Sequence, residues 1–220
     1  MDWTAFALSL KLALATCIVL LPIAVVLARW LAAASGPRKA ISEALVMLPL
    51  VLPPTVLGYA LLIGLGPNAW AGRTLAILTG GGDVLFTFKG LLLASLLVNI
   101  PFAVQPLQRA FEAIRPNIRE AAWVSGLSSW ETFRRIEWPL VWPGAVSALA
   151  LVFAHTLGEF GVLLMVGGSI PGETQTLSIA IYDRVQGFRN AEAGLMSAAL
   201  LVFAFAALAI VHLTARRRHV

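Results

Sequence analysis

The chain has 220 residues, of which 59% are hydrophobic and only 12% charged, with a mean hydropathy of +0.86. A soluble domain carries roughly a quarter charged residues, so this composition excludes one and points to an all-α, polytopic membrane protein. The net charge of +5 is no sign of nucleic-acid binding, because the basic residues border the apolar runs. The one cysteine, Cys17, lies inside such a run and excludes a disulfide framework or a cysteine metal cluster.

The first apolar run, 6–28, is long enough to cross a bilayer. A signal peptide is the competing reading, since Ala32, Ala33 and Ala34 resemble a cleavage region. Against it, Asp2 stands where a basic region belongs, and Arg29, Arg38 and Lys39 follow the run. These flanks make it a retained span with its N-terminus outside. The second run, 41–65, contains Pro49, Pro53 and Pro54. Each removes a backbone donor, so this span must kink or break. A kinked span often borders a pathway; a kink used only for packing is the equal alternative. Residues 66–87 are glycine-rich, lack a phosphate-cradling motif and read as an external loop. The third run, 88–107, carries Asn99 and Pro101 and returns the chain to the cytoplasm.

Residues 116–139 are too polar to enter a bilayer and read as two short helices with a sharp turn between them. Asn117 and Glu120 have capping-box spacing behind Pro116, and Ser128 and Glu131 repeat it. Gly126 sits where the first helix should end in a left-handed residue. Leu127, Trp130, Phe133 and Ile136 form an apolar stripe on the second helix, whose end carries Arg134 and Arg135. Ala121 and Ala122 offer a close-approach surface to another protein.

The fourth run, 140–166, exceeds an untilted span and is interrupted by His155-Thr156-Leu157-Gly158-Glu159-Phe160-Gly161, which predicts a bent or broken helix. Turn residues fill 167–174, a short amphipathic helix is expected over 176–186, and the fifth run, 191–213, ends in Arg216, Arg217 and Arg218. Five spans with the N-terminus outside put eleven basic residues in the cytoplasm (Arg29, Arg38, Lys39, Arg109, Arg115, Arg119, Arg134, Arg135 and the terminal three) and five outside (Lys11, Arg73, Lys89, Arg184, Arg189). That bias supports the topology and makes 116–139 a cytoplasmic elbow between spans three and four.

No catalytic constellation or metal site is present: His155, His212 and His219 are scattered, and no H-E-x-x-H or paired carboxylates occur. His155 and Glu159, four residues apart, are the pair that a self-powered secondary carrier could use. Glu159 reads equally as an intramembrane functional group and as a stabiliser of the break at Gly158 and Gly161.

The elbow carries Glu120-Ala121-Ala122, Gly126, Ile136 and Pro139 in the spacing E-A-A-x3-G-x9-I-x2-P. This resembles the EAA loop of bacterial ABC importer permeases. Gly158-Glu159-Phe160-Gly161, the stretch Gly-Gly-Ser-Ile-Pro-Gly-Glu-Thr-Gln-Thr-Leu at 167–177 and Leu-Pro-Leu-Val-Leu-Pro-Pro-Thr-Val-Leu-Gly-Tyr at 48–59 resemble the molybdate branch of the sulfate, tungstate and molybdate importers. Trp138 departs from the loop pattern, which often has Leu before the proline. The resemblance implies a type I importer permease fold spanning 1–220 as one transmembrane domain in the inner membrane. It implies a homodimer whose elbows dock into two separate ATPase subunits through Glu120, Ala121, Ala122, Gly126, Leu127, Trp130, Phe133, Ile136 and Pro139, with ATP–Mg bound by those partners and no cofactor on this chain. An external binding protein would deliver the oxyanion, with tungstate, sulfate and thiosulfate as alternative cargoes. Importing a dianion against a 100 mV inside-negative potential costs about 4.6 kcal/mol, which favours an ATP drive. Pathway or hinge candidates are Pro53, Pro54, Thr55, Asn99, Thr156, Gly158, Glu159 and Gly161. Thr55, Asn99 and Thr156 would offer donors to the anion, and Glu159 would serve as hinge or gate because its charge repels a dianion.

Overall fold

The computed structural model describes residues 1–78 and 80–216, with side chains described through residue 209. Arg217, Arg218 and His219 lie outside the described residues, as do the side chains of His212 and Arg216. The described chain is helical, without a strand. Helix α1 (Trp3–Ala33) starts at Asp2, whose carboxylate caps it by accepting the Ala5 N–H at 3.0 Å. Its 31 residues span about 46 Å, more than a hydrocarbon core of about 30 Å, so Arg29 reaches the interface.

The predicted second span breaks. Helix α2 (Gly36–Val51) ends before Pro53, and α3 (Pro54–Gly64) starts with Pro54 in its first turn; the two meet at 105°. Pro49 stays inside α2, while Pro53 and Pro54 together deny the ladder two successive donors and force the bend. The expected loop 66–87 contains a further helix, α4 (Trp70–Leu78), hidden in the sequence by the glycines around it. Helix α5 (Phe88–Glu112) runs past the predicted end of the third run and carries Pro101 and Pro106 within it. Helix α6 (Pro116–Val124) opens the elbow. A single turn, α7 (Ser129–Thr132), leads through a π-helical turn (Phe133–Glu137) into α8 (Trp138–Gly158) without interruption. The fourth span therefore starts inside the elbow and not at residue 140. After the break come α9 (Gly161–Gly167), α10 (Leu177–Gln186) and α11 (Asn190–Arg216).

Among the described residues, four segments are long and apolar enough to cross a bilayer alone: Trp3–Ala33, Phe88–Glu112, Ser129–Gly158 and Asn190–Ala209. The bent pair α2–α3 makes a fifth when counted as one span, which is how the five-span expectation is met.

Three apolar clusters are strung along α1. Leu20, Ala24, Ala28 and Leu31 pack with Val104, Leu107 and Phe111 of α5 and with Val141, Ala145 and Ala148 of α8. Nearer the N-terminus of α1, Leu12 joins Leu57 of α3, Leu91 of α5 and Leu163 of α9. At the tip, Ala5 meets Leu177 and Ala180 of α10 and Met196 of α11. The alanines let helices approach closely, which matters in lipid, where apolar burial itself drives no association. In α11, Leu195, Leu201, Val202 and Phe205 are exposed, and α2 buries no residue at all. Both faces suit lipid or a second chain.

The elbow and α10 stand at opposite ends of α1. At the α10 end, Arg184 Nη2 donates to Asp2 Oδ2 at 3.0 Å. The Ala5 amide chiefly, with Arg184 adding to it against some desolvation, holds the Asp2 carboxyl below the usual carboxylate value. A depressed pKa contributes stability above the unfolded value of about 3.9, and that contribution is lost as pH falls through the folded value. Detergent-solubilised Asp2→Asn protein is expected to melt below wild type at neutral pH. The gap should narrow as pH drops below about 4 and close once pH passes the lowered folded value, where wild type loses the same charge; a gap that persists in stronger acid would contradict this.

Candidate functional site: the elbow and a buried polar network

The elbow is built by local rules. Gly126 takes φ +82°, Leu127 N–H bonds to Ala122 C=O at 3.1 Å, and Gly126 N–H to Trp123 C=O at 3.0 Å. This pair of bonds is a Schellman close, which needs the left-handed residue that glycine supplies. The second capping box forms as expected: Ser128 N–H donates to Glu131 Oε2 at 3.0 Å, and Glu131 N–H to Ser128 Oγ at 3.3 Å. The first does not. Arg115 is the cap residue without a side-chain bond and Pro116 occupies the first turn, so Asn117 falls inside the helix; proline's fit to that position prevails.

Glu120 and Ala121 are exposed, whereas Ala122 is 3% exposed and covered by its own chain. Of the pair expected to meet another protein, Ala121 is therefore open and Ala122 is not. Trp123, Val124 and Trp130 are also exposed, a stretch of apolar surface beside Gly126 that the sequence reading missed in Trp123 and Val124. Leu127, Phe133 and Ile136 are half-buried and Pro139 exposed. Trp130 stacks on Phe133 with ring centroids 5.5 Å apart, Phe133 lies 6.1 Å from Trp138, and Trp138 lies 5.6 Å from Trp142. This aromatic series links elbow to span. The π turn makes it continuous: Trp138 N–H bonds to Phe133 C=O, and the wider turn makes room for Pro139, which has no N–H to give.

The sequence reading also missed Glu137. It is 2% exposed, accepts Arg29 Nε at 2.6 Å on Oε2 and accepts Arg119 Nε at 2.7 Å on Oε1. The available signal was a single carboxylate at the entry to an apolar run.

Deeper in the bundle, several pathway candidates converge. Asn99 is fully buried, with Nδ2 donating to Ser95 C=O at 2.8 Å and Thr156 Oγ1 at 3.1 Å. The Ser95 carbonyl can only accept, which fixes the amide orientation and leaves Oδ1 facing His155 Nδ1 at 3.2 Å. His155 Nδ1 must then be the donor, and in the neutral ring Nε2 presents its lone pair. It faces Glu159 Oε2 at 3.6 Å. Ser95 and Thr16 of α1, 2.8 Å apart, extend the network across the bundle, and His155 stacks on Phe102 at 4.2 Å. The small hydroxyls were overlooked because Ser and Thr inside apolar runs look neutral.

Glu159 closes the break in the fourth run. Its Oε1 accepts the Val162 N–H of α9 at 3.3 Å, and its carbonyl accepts Ser178 Oγ at 2.6 Å. A β-carbon on Gly161 would lie 3.0 Å from Pro54 Cβ, so the break after α8 packs against the break between α2 and α3. Glycine lets the two breaks approach without displacing the proline. Gly158 faces open space, and nothing in the structure explains a glycine at that position. Pro53 and Thr55 are exposed and stand outside the polar network.

The chain matches, over residues 21–218, the family described as the inner membrane component of binding-protein-dependent transport systems. It is 44% identical over 204 residues to the molybdenum transport system permease protein ModB of Azotobacter vinelandii, covering 93% of this chain and 90% of that protein. To the probable sulfate transport system permease protein cysT of Chlorella vulgaris it is 33% identical, over 77% of this chain and 63% of that one. Its fold matches a crystal structure of a bacterial ABC transporter that imports the acidic polysaccharide alginate, with a TM-score of 0.77 at 18% identity, over 97% of this chain and 78% of that one. An all-helical membrane bundle with an E-A-A-x3-G elbow, matched along most of its length, thus belongs to the inner membrane components of binding-protein-dependent transport systems: it is a transport permease subunit.

Proposed function

We propose that the chain is the permease of an ATP-driven molybdate importer and that two copies together form the translocation pathway. The observation that carries this reading is the elbow, whose Glu120, Ala121, Trp123 and Trp130 face outward beside the Gly126 turn. Each elbow docks on a separate ATPase subunit, which binds ATP–Mg, while this chain needs no cofactor. An external binding protein delivers the oxyanion to the far end. The N-terminus lies outside and the C-terminus in the cytoplasm. The separation of α10 and the elbow to opposite ends of α1, with Arg29, Arg119 and Lys39 at the elbow end, supports that orientation. The likeness to molybdenum permeases supports the cargo.

Within the pathway, Asn99 and Thr156 are occupied by one another. Their donors become available to an anion only when α5 and α8 part, so the network acts as a closed gate. Glu159 serves as the hinge that caps α9. That carboxylate and His155 are engaged inside the bundle, which fits a structural duty better than a proton relay.

The test is purification of the tagged chain with its neighbours, followed by uptake in proteoliposomes. An ATPase subunit should copurify, and molybdate should enter only with ATP and binding protein present. Uptake driven by a proton gradient without any ATPase would overturn the reading. The sulfate permease relative favours a second cargo, and sulfate that outcompetes molybdate at equal concentration would shift the assignment to it.

A further inference from the structure

Glu137 has a burial and a partner set that docking and gating leave unused. Its two oxygens hold two arginines from distant segments: Arg29 at the end of α1 and Arg119 on α6. Arg119 Nη2 also donates to the Phe111 carbonyl in the last turn of α5, at 3.2 Å. The Arg29 guanidinium lies over the Phe133 ring, 5.5 Å from its centroid. One carboxylate on the π turn thereby ties α1, α5, α6 and the start of α8 to a single point. In the chain itself, the elbow is continuous only with α5 and α8; α1 is linked to it by Arg29.

Such a cluster is a poor source of stability, because desolvation cancels much of the attraction and apolar side chains of similar volume often do as well. Its distinctive product is fixed geometry. Both arginines engage through Nε, so each guanidinium is held in one orientation, which a lysine ammonium could not reproduce. The adjoining segments are already one body, since Ala28 and Leu31 of α1, Phe111 of α5 and Val141 of α8 share one apolar cluster. The short helix α6 touches that body through Ile118 and is tied to it in a fixed direction by Arg119.

We propose that Glu137 is a positioning residue for energy coupling: held by Arg119 on one side and Arg29 on the other, it passes displacement of α6 into the joined body of α1, α5 and α8 when an ATPase subunit pulls on the elbow. This rests on the elbow being the ATPase-docking element. The residue is buried and stands behind the docking face, so its duty is transmission and not attachment.

The experiment uses the assembled transporter with its ATPase and binding protein in proteoliposomes, with molybdate as the probe, and reads molybdate imported per ATP hydrolysed. Glu137→Gln keeps size and polarity and removes the charge. The ratio is expected to fall about tenfold, within the usual range for coupling between sites, with the ATPase subunit still bound. Arg29→Lys and Arg119→Lys, which keep the charge but not the planar Nε donor, should lower it in the same direction, and they carry the test if Glu137→Gln fails to fold. An unchanged ratio in these variants, including one in which uptake and hydrolysis fall together, overturns the proposal. So does loss of the ATPase subunit from Glu137→Gln. A wild-type chain that holds no ATPase subunit sinks the docking reading, and this inference with it.

Discussion

Gly126→Val is expected to cut ATP-driven uptake about tenfold, because a left-handed residue with a side chain costs about 1–2 kcal/mol and 1.4 kcal/mol is a factor of ten. Nothing lies within 4 Å of a β-carbon built at Gly126, so the penalty is one of backbone and not of space. The chain escapes it by leaving φ +82°, which breaks the bonds from Leu127 to Ala122 and from Gly126 to Trp123. The angle between α6 and α7 then changes, and Glu120 and Trp130 no longer present one surface. β-Branching adds to the effect, since valine is the stiffer side chain. Gly126→Asn is the informative control: asparagine enters the left-handed region more readily and should retain much of the uptake despite its larger volume. Uptake in membrane vesicles and copurified ATPase measure both variants. Normal uptake and normal stimulated hydrolysis by Gly126→Val would remove the turn from the coupling element.

The second large effect is expected at Asn99. Asn99→Leu is close in volume but leaves Thr156 Oγ1 and His155 Nδ1 without the partners they now have. A buried polar group left without a partner costs about 1–3 kcal/mol; Thr156 Oγ1 keeps the Val152 carbonyl and His155 is partly exposed, so the expected loss lies at the low end of that range. The variant should therefore melt a few degrees lower in detergent. It should also lose uptake beyond what lowered abundance explains, since the gate between α5 and α8 is no longer latched. Thr156→Val is predicted to be milder. Thr156 Oγ1 also bonds back to the Val152 carbonyl at 2.8 Å, and that carbonyl keeps its helical partner. A wild-type melting temperature in Asn99→Leu would show that the network carries no stability, and full uptake at normal abundance would show that it carries no gate.

The two elements differ in how readable they were. The elbow was legible because its determinants are neighbours in the chain: Gly126 at its turn, Ser128 with Glu131, and the stripe through Trp130 and Phe133. Even there, Asn117 failed as a cap, because Pro116 competes for the same helix start and its preset φ decides the position. Helix α4 was missed among glycines whose positive φ values follow it at Gly80, Gly81 and Gly82. For the polar network, Asn99, Thr156 and Glu159 were each visible as oddities in apolar runs, but not as one structure.

What the sequence alone determined was the class and the punctuation. Apolar runs of span length, prolines at 53 and 54, and Gly161 beside Glu159 marked which segments cross and where two of them break, since those properties act within a few residues. The tertiary structure decided which oddities belong together. The break at Gly161 rests on Pro54, Asn99 meets His155 and Thr156, and Ala122 turns inward while Ala121 does not. It also decided the place of Glu137, whose two arginines come from residues 29 and 119. A carboxylate at the mouth of a span must find countercharge when buried, but only the packing of α1, α6 and α8 settles which arginines supply it.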